Sequence, residues 1–457
     1  MIRSFPKLVR VGAVLTLIVA LLAFLVRVAH AQDATPRRLS LGDAARLAAQ
    51  QSAGVEIAQD RVKQAEARVL ARRADLLPTL SAATALTQHT INSATFGFDF
   101  PTPAGQPPLL DPNGQIIGPV KLLDARGRVS QSVFDYGAIE RVRAARAGVI
   151  AASADVGSAA EQAASVAAAA YLRTVRSEAQ LRARIADSTL ACELTSIARD
   201  QLHAGVGVAL DVTRAEAQLA GVRAQLIAAR NDRSRARLDL ARALNLALDA
   251  PLTLTDSLGA MPSVERVDEQ AVIERALATR PDLRAVTEQL HAAESQIAAI
   301  RAERLPSVAV FGDDGVIGKN TEHLLTTYQM GLQVSIPLFD GRRREARVRE
   351  QEAAVHDVDV RRRDLRLQIA AEVRAAVLDL GSAREQVDAA QQRLRLAEQE
   401  LSQARDRFRA GVAGNADVIT ASLALNGARN LVIDAQTAYQ SARVALARAE
   451  GSVTSLQ

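Results

Sequence analysis

The 457-residue chain has one cysteine, Cys192, and no tryptophan. A single cysteine forms no disulfide within one chain and builds no cysteine-based metal site. Cys192 falls in a stretch with helical patterning and reads as a small core residue. Without tryptophan or a long basic block, the chain lacks the stacking platform and the electrostatic footprint of a nucleic-acid binder. His89, His203, His291, His323 and His356 are scattered, and no two of them form an HExxH or comparable pair. The segment from Gly312 to Asn320 ends in Gly-Lys-Asn, but Asp313 stands where a phosphate loop needs its first glycine and Asn320 where it needs Ser or Thr. No catalytic residue, cofactor or metal is therefore expected. Past the N-terminus there is no apolar run of about 18 residues or more, so no transmembrane helix is expected, and any entry into a membrane would have to use strands.

The N-terminus carries Arg3, Lys7 and Arg10, a mostly apolar run from Val11 to Val26, and then Ala29-His30-Ala31, a small-x-small cleavage pattern. Residues 1 to 31 read as a secretory signal with the mature chain starting at Gln32; the run falls short of the ~20 residues an uncleaved anchor would need. No cysteine follows the cleavage point, so no lipid attachment is expected there. Arg3, Lys7, Arg10 and Arg27 leave with the signal, so the 56 basic residues of the whole chain nearly balance its 51 acidic ones once it is removed. The high isoelectric point says nothing about nucleic acid.

What the sequence does have is a doubled layout. Ala65-Glu66 and Leu77-Pro78-Thr79 recur at one common offset as Ala293-Glu294 and Leu305-Pro306-Ser307. Phe134-Asp135 recurs as Phe339-Asp340, and Ala204-Gly205-Val206 with Asp211-Val212 recurs as Ala410-Gly411-Val412 with Asp417-Val418. Four anchors in the same order mark an internal duplication, with copies at 32–264 and 265–457, joined by the Pro-containing stretch from Ala250 to Val264.

Within each copy the order is helix, two strands, very long helix, turn, returning helix. Ser40 with Asp43 three residues on is a capping-box variant, and the helix it opens has periodic apolar positions to about Leu76. Pro78 and Pro306 end the first helices, since proline lacks the amide donor and drives the preceding residue to extended geometry. From Tyr328 to Leu338, apolar residues alternate strictly with Gln329, Gly331, Gln333, Ser335 and Pro337, the period of a two-faced strand. Less regular strands are expected near Leu80–Thr90, Lys121–Phe134 and Val308–Ile317, with exposed loops at Ile91–Val120 and Asp313–Thr327. Asp135 and Asp340 cap the next helices, which run to Ala204 and Ala410. Roughly 68 residues of helix make a rod about 100 Å long, too long for the core of one compact domain. Leu380, Val387, Leu394, Leu401 and Phe408 repeat with a period of seven, and Ala383, Ala390, Ala397 and Ala404 fill the second seam position. Such a seam packs in a left-handed coiled coil, and the turn at Gly411 makes the partner the returning helix from about Asp417 to Arg448. The Asp and Glu residues that alternate with Arg along the rods read as a solvated, salt-bridged face.

Strands with one apolar face cannot be left open in lipid, because unpaired edge amides there cost several kcal/mol each. Closure needs at least about eight strands. Two chains of four would give a barrel filled by side chains, whereas three would give twelve strands and room for water, which suits the Gln329, Gln333 and Ser335 face. Pairing across subunits thus predicts a homotrimer with its apolar face toward outer-membrane lipid.

The signal peptide, the doubled layout, the Leu-Pro strand entries, the IPLFDG junction at Ile336 to Gly341, the ATRPDL opening of the second copy at Ala278 to Leu283 and the RAGV and ADV elements of the hairpin together resemble the TolC-like outer-membrane efflux proteins. The resemblance covers essentially the whole mature chain. It implies an α+β membrane protein: a trimeric twelve-stranded outer-membrane β-barrel, four strands per chain, continued by a periplasmic α-helical coiled-coil barrel that helical hairpins close at its inner end. It also implies two partners, an inner-membrane pump and a periplasmic adaptor, so that substrate leaves the cell in one passage by efflux or type I secretion.

The resemblance carries over to two sets of residues. An acidic residue of the second hairpin lines the closed entrance in that family, and the position six past Gly411 is Asp417. The family prototype has a second Asp one turn later, where this chain has Thr420, and a basic residue four positions before, where it has Ala413; one carboxylate ring is expected instead of two. A plainer reading is that Asp417, like Asp211, favours the positive end of its helix. The tips Gly205-Val206-Gly207 and Gly411-Val412-Ala413 resemble the family's adaptor-docking tips, while tight turns alone would also select glycine. Outside the channel reading, a periplasmic coiled-coil scaffold accounts for the rods and signal but leaves the paired strands unexplained. A secreted enzyme accounts for the signal alone.

Overall fold

The computed structural model describes residues 37–96, 105, 114–259, 268–410, 412 and 414–456. The expected signal, the junction after Val264 and most of the loop from Ile91 to Val120 lie outside the described residues. The chain forms two compact units, one of residues up to Gln59, Ala154–Ala285 and Arg363–Gln457, the other of Asp60–Ser153 and Val286–Arg362. Each unit takes chain from both halves of the sequence.

The elements in order are β1 (Arg37–Leu39), α1 (Leu41–Gln51), α2 (Ala53–Ala74), β2 (Thr79–Asn92), β3 (Ile116–Asp135), α3 (Tyr136–His203), α4 (Ala209–Ala243), β4 (Leu252–Leu254), α5 (Glu269–Thr279), α6 (Pro281–Ala302), β5 (Ser307–Gly318), β6 (Leu324–Ser335), α7 (Arg343–Arg409) and α8 (Asn415–Glu450). The long helices have 68 and 67 residues and end one residue short of Ala204 and Ala410. Ser40 and Asp43 form the expected capping box. The first helix is two helices, however. Ser52 takes an extended backbone, and its hydroxyl accepts the amide of Val55 at 3.4 Å, the local competition with the helix ladder that serine offers.

In the second unit, β2, β3, β5 and β6 form one antiparallel sheet in that order. Direct cross-strand neighbours share a face. Leu80 opposes Val129, Leu86 opposes Leu123, Val310 opposes Leu332 and Gly312 opposes Met330 on one face; Ser81 opposes Arg128 and Asp313 opposes Gln329 on the other. One face is thus mainly apolar and the other polar. On the polar face Asp313, 5% exposed, lies between Arg126 at 3.1 Å and Arg128 at 4.0 Å, and Arg126 also holds Asp124 at 2.7 Å. Arg126 lies over Gly315, where a Cβ would come within 2.5 Å of the Arg126 Cβ and 2.3 Å of the Ala125 carbonyl oxygen. Among the described residues the outer strands β2 and β6 are each paired on one side only. Strand β6 spans Leu324–Ser335, earlier at both ends than the alternation predicts. Pro337 has no amide to extend the ladder, so Ile336 and Leu338 on either side of it lie beyond the strand as exposed apolar residues. Asp135 caps α3 through the Ala138 amide at 2.8 Å. After Asp340, Gly341 and Arg342 both take positive φ, so α7 begins only at Arg343.

The first unit is helical around a short parallel pair, β1 with β4. Its core gathers Leu39, Ala44, Ala48, Ala167, Tyr171, Leu240, Leu244 and Val453, and the fully buried Tyr171 hydroxyl donates to the Leu39 carbonyl at 3.0 Å. The coiled-coil seam packs as its period requires: Leu380, Ala383, Val387 and Ala390 of α7 meet Ala435, Tyr439 and Ala442 of α8. Arg280, 8% exposed, ties α5 and α6 to their surroundings through Asp282 at 2.6 Å, Glu372 at 2.5 Å and the Ala449 carbonyl at 3.3 Å. Burial would raise the Asp282 carboxyl, but the Arg280 guanidinium holds it below the usual carboxylate range.

Cys192 departs from expectation. It is exposed on α3, because Ala191 and Leu194 take the buried positions of that turn.

Candidate functional site

The two helical hairpins end in turns of the same construction. In the first, the Val206 amide donates to the Gln201 carbonyl at 3.0 Å, and in the second the Val412 amide donates to the Arg407 carbonyl at 3.0 Å. This is the six-to-one bond of a left-handed helix cap, and Gly205 supplies its positive φ of 74°. Gly207 is close-packed for a different reason: a Cβ there would lie 3.0 Å from the Gln201 backbone carbon. Both turns present a bare valine, Val206 at 79% and Val412 at 71% exposed. Gly411 and Ala413 lie outside the described residues.

Asp417 and Asp211 sit in the first turns of α8 and α4, as the repeat requires. Their surroundings differ. Asp211 is largely covered and lies 3.9 Å from Arg214, whereas Asp417 is exposed on its helix. Both lie near the positive end of a helix, which favours a carboxylate in either place.

The hairpins are fastened to each other by polar contacts that sequence patterning did not identify. The fully buried Asn415 donates to the Asp211 carbonyl at 2.8 Å, and Gln201 donates to the Phe408 carbonyl at 3.2 Å. Glu193 of α3 pairs with Arg405 and, at 3.1 Å, with Arg409 of α7. Deeper in, the Asp187 carboxylate of α3 is 1% exposed and receives Arg184 at 3.1 Å and Arg429 of α8 at 2.8 Å. With its amide turned to donate, Asn426 adds a third bond to Asp187 at 2.7 Å. Leu190, Leu194, Val418, Ala421 and Leu425 pack beside it. The charge pattern of the rods alone places Asp187 on a solvated face. Its one sequence signal is spacing: Leu190 and Leu194 fall three and seven residues on, which places Asp187 on the buried stripe.

The arrangement joins two hairpins with buried charge pairs and exposes apolar tips. Among the described residues no group of three or more His, Cys, Asp or Glu is placed to hold a metal.

Comparison with known proteins agrees with this architecture. The chain is 26% identical over 299 residues to Protein CyaE of Bordetella pertussis, an alignment covering 63% of this chain and 62% of that protein. It is 25% identical over 337 residues to the alkaline protease secretion protein AprF of Pseudomonas aeruginosa, covering 69% of this chain and 66% of that one. The match thus spans slightly less than two thirds of either relative. The fold superposes on the Campylobacter jejuni CmeC outer membrane channel with a TM-score of 0.72 over 90% of this chain and 85% of that one, at 18% identity. Residues 44–246 and 272–452 match the family described as Outer membrane efflux protein, and the chain belongs to that family.

Proposed function

We propose that the protein is the outer-membrane exit duct of a tripartite efflux or type I secretion system. Three chains close their sheets into a twelve-stranded barrel, the apolar face meets lipid and the polar face lines water. The helical hairpins extend into the periplasm and shut the inner end. The observation that supports this reading best is a four-stranded sheet with one polar and one mainly apolar face and with both edge strands unpaired on their outer sides among the described residues. In lipid such edges must be satisfied by other copies.

In this reading Gly205, Val206, Gly207, Gly411, Val412 and Ala413 form the tips that meet a periplasmic adaptor, and the exposed Val206 and Val412 supply the apolar contact. The adaptor connects the duct to an inner-membrane pump. Asp417, exposed where Asp211 is covered, contributes one carboxylate per chain to a ring at the closed entrance. The repeats at 32–264 and 265–457 each supply half of the strands and one hairpin.

Membrane fractionation, cross-linking in detergent and conductance in planar bilayers test the proposal together. A cross-linked trimer from the outer membrane that conducts is the expected result. A soluble periplasmic monomer would instead favour a coiled-coil scaffold without a channel.

A further inference from the structure

In the second unit, α2, α4-preceding α3, α6 and α7 enclose a cleft of about 600 Å³ whose charged lining is Arg68, Arg72, Arg141, Arg347 and Glu303. Two of these cations are already neutralised. Arg347 forks onto Glu303 at 2.6 and 3.2 Å, and Arg141 lies 3.4 Å from Asp135 and 3.7 Å from Asp75. Arg68 and Arg72 have no side-chain partner among the described residues. They stand one helical turn apart on the same face of α2, a like-charge spacing that weakens a helix. Apart from Ile300 the rest of the wall is small or amide-bearing, with Ala65, Ala144, Ala299 and Gln296 keeping the space open.

The sheet register shows on which side this charge lies. A bulge between Ser132 and Phe134 puts Phe134 opposite Val308 on the apolar face and Asp135 opposite Ser307 on the polar face. Arg141 contacts that Asp135 carboxylate, so this corner of the cleft continues the polar face of the sheet.

We infer that Arg68 and Arg72 form an anion-binding step just below the barrel, one that takes clustered carboxylates or phosphates on solutes passing through the pore. This rests on the channel reading above. The two guanidiniums can each grip an oxyanion through paired N–H donors, and a water-filled passage lined by uncompensated cations concentrates anions within a Debye length of the wall.

The test uses the full-length protein purified in detergent, with inorganic tripolyphosphate and a short oligoglutamate peptide as separate probes. Calorimetry measures binding, and planar bilayers measure block of potassium chloride current from the periplasmic side. Arg68→Gln with Arg72→Gln should raise the dissociation constant and the half-blocking concentration at least about tenfold, and should shift the reversal potential in a salt gradient toward cations. Arg68→Lys with Arg72→Lys keeps the charge and should retain most of the block. Comparison of the two probes tells whether phosphate or carboxylate is the better ligand. A double Gln variant with unchanged helical content that binds both probes as the native protein does would overturn the inference. So would unchanged block accompanied by loss of co-purified phospholipid, which would place the cleft against the bilayer. If calorimetry shows the loss of binding but neither protein conducts, the anion site stands and the channel reading falls.

Discussion

Arg429 on the returning helix of the second hairpin holds Asp187 on the outgoing helix of the first at 2.8 Å, with the carboxylate 1% exposed. The pair lies between residues 242 positions apart in the chain, so it joins two hairpins that the sequence keeps separate. Two Arg residues and an Asn converge on one carboxylate, and its removal leaves partly covered cations facing each other.

Asp187→Asn should therefore loosen the contact between hairpins. Loss of one member of a fully buried pair costs about 3–5 kcal/mol. Arg184 and Arg429 keep some access to water, which reduces the figure to about 2–3 kcal/mol. The checks are a lower melting temperature of the helical signal and, in the proposed duct, a larger closed-state conductance. Unchanged values for both would show that the network is not a fastening.

Gly315→Val should impair the sheet. A Cβ at that position meets the Ala125 carbonyl oxygen at 2.3 Å and the Arg126 Cβ at 2.5 Å, neither of which is the free end of a side chain. The strands must separate locally and Arg126 must leave Asp313, so the yield of assembled protein in the outer membrane should fall severalfold. Gly221→Ala on α4, where nothing lies within 4 Å of the added carbon, is the matched control and should assemble normally.

Much of this fold was readable from local rules. Pro78 and Pro306 mark helix ends because they remove a donor, Gly205 marks a turn because the cap needs positive φ, and the seam from Leu380 to Phe408 names its partner because the chain turns straight back. What was not readable depends on neighbours distant in sequence. Ser52 breaks a helix whose periodicity continues across it, and Asp187 is indistinguishable from the solvated acids around it until Arg429 is in place. The candidate site was legible as a pair of turns and an acidic position, and its fastening was not.

Acid should weaken the Arg280 junction. A carboxyl held below its ordinary value near 3.8 contributes stability that is fully present above that value and is lost as the pH falls through the lower folded one. Helical content followed from pH 6 down to about pH 2 should show a decline that Asp282→Asn makes shallower below about pH 4. Equal profiles for the two proteins would mean that Arg280 does not stabilise Asp282.

With Asp417 at the entrance as proposed, Asp417→Ala should reduce block by trivalent cations applied from the periplasmic side while changing open conductance little, since a carboxylate ring would act on ions more than on helix packing. Asp211→Ala is the control, because its carboxylate is covered and lies near Arg214. Equal loss of block in the two variants, or none in Asp417→Ala, would reduce Asp417 to a residue that favours its helix end.

The one-sided pairing of β2 and β6 also has a genetic consequence. In the proposed ring, a chain whose β6 is interrupted by proline at Gln329 or Leu332 would still offer an intact β2 to its neighbour, and so would join an assembly that it then prevents from closing. Such an allele should be dominant: expressed beside the normal gene, it should poison the mixed rings and lower export further than deletion of one gene copy does. A frameshift that removes both edges should be recessive.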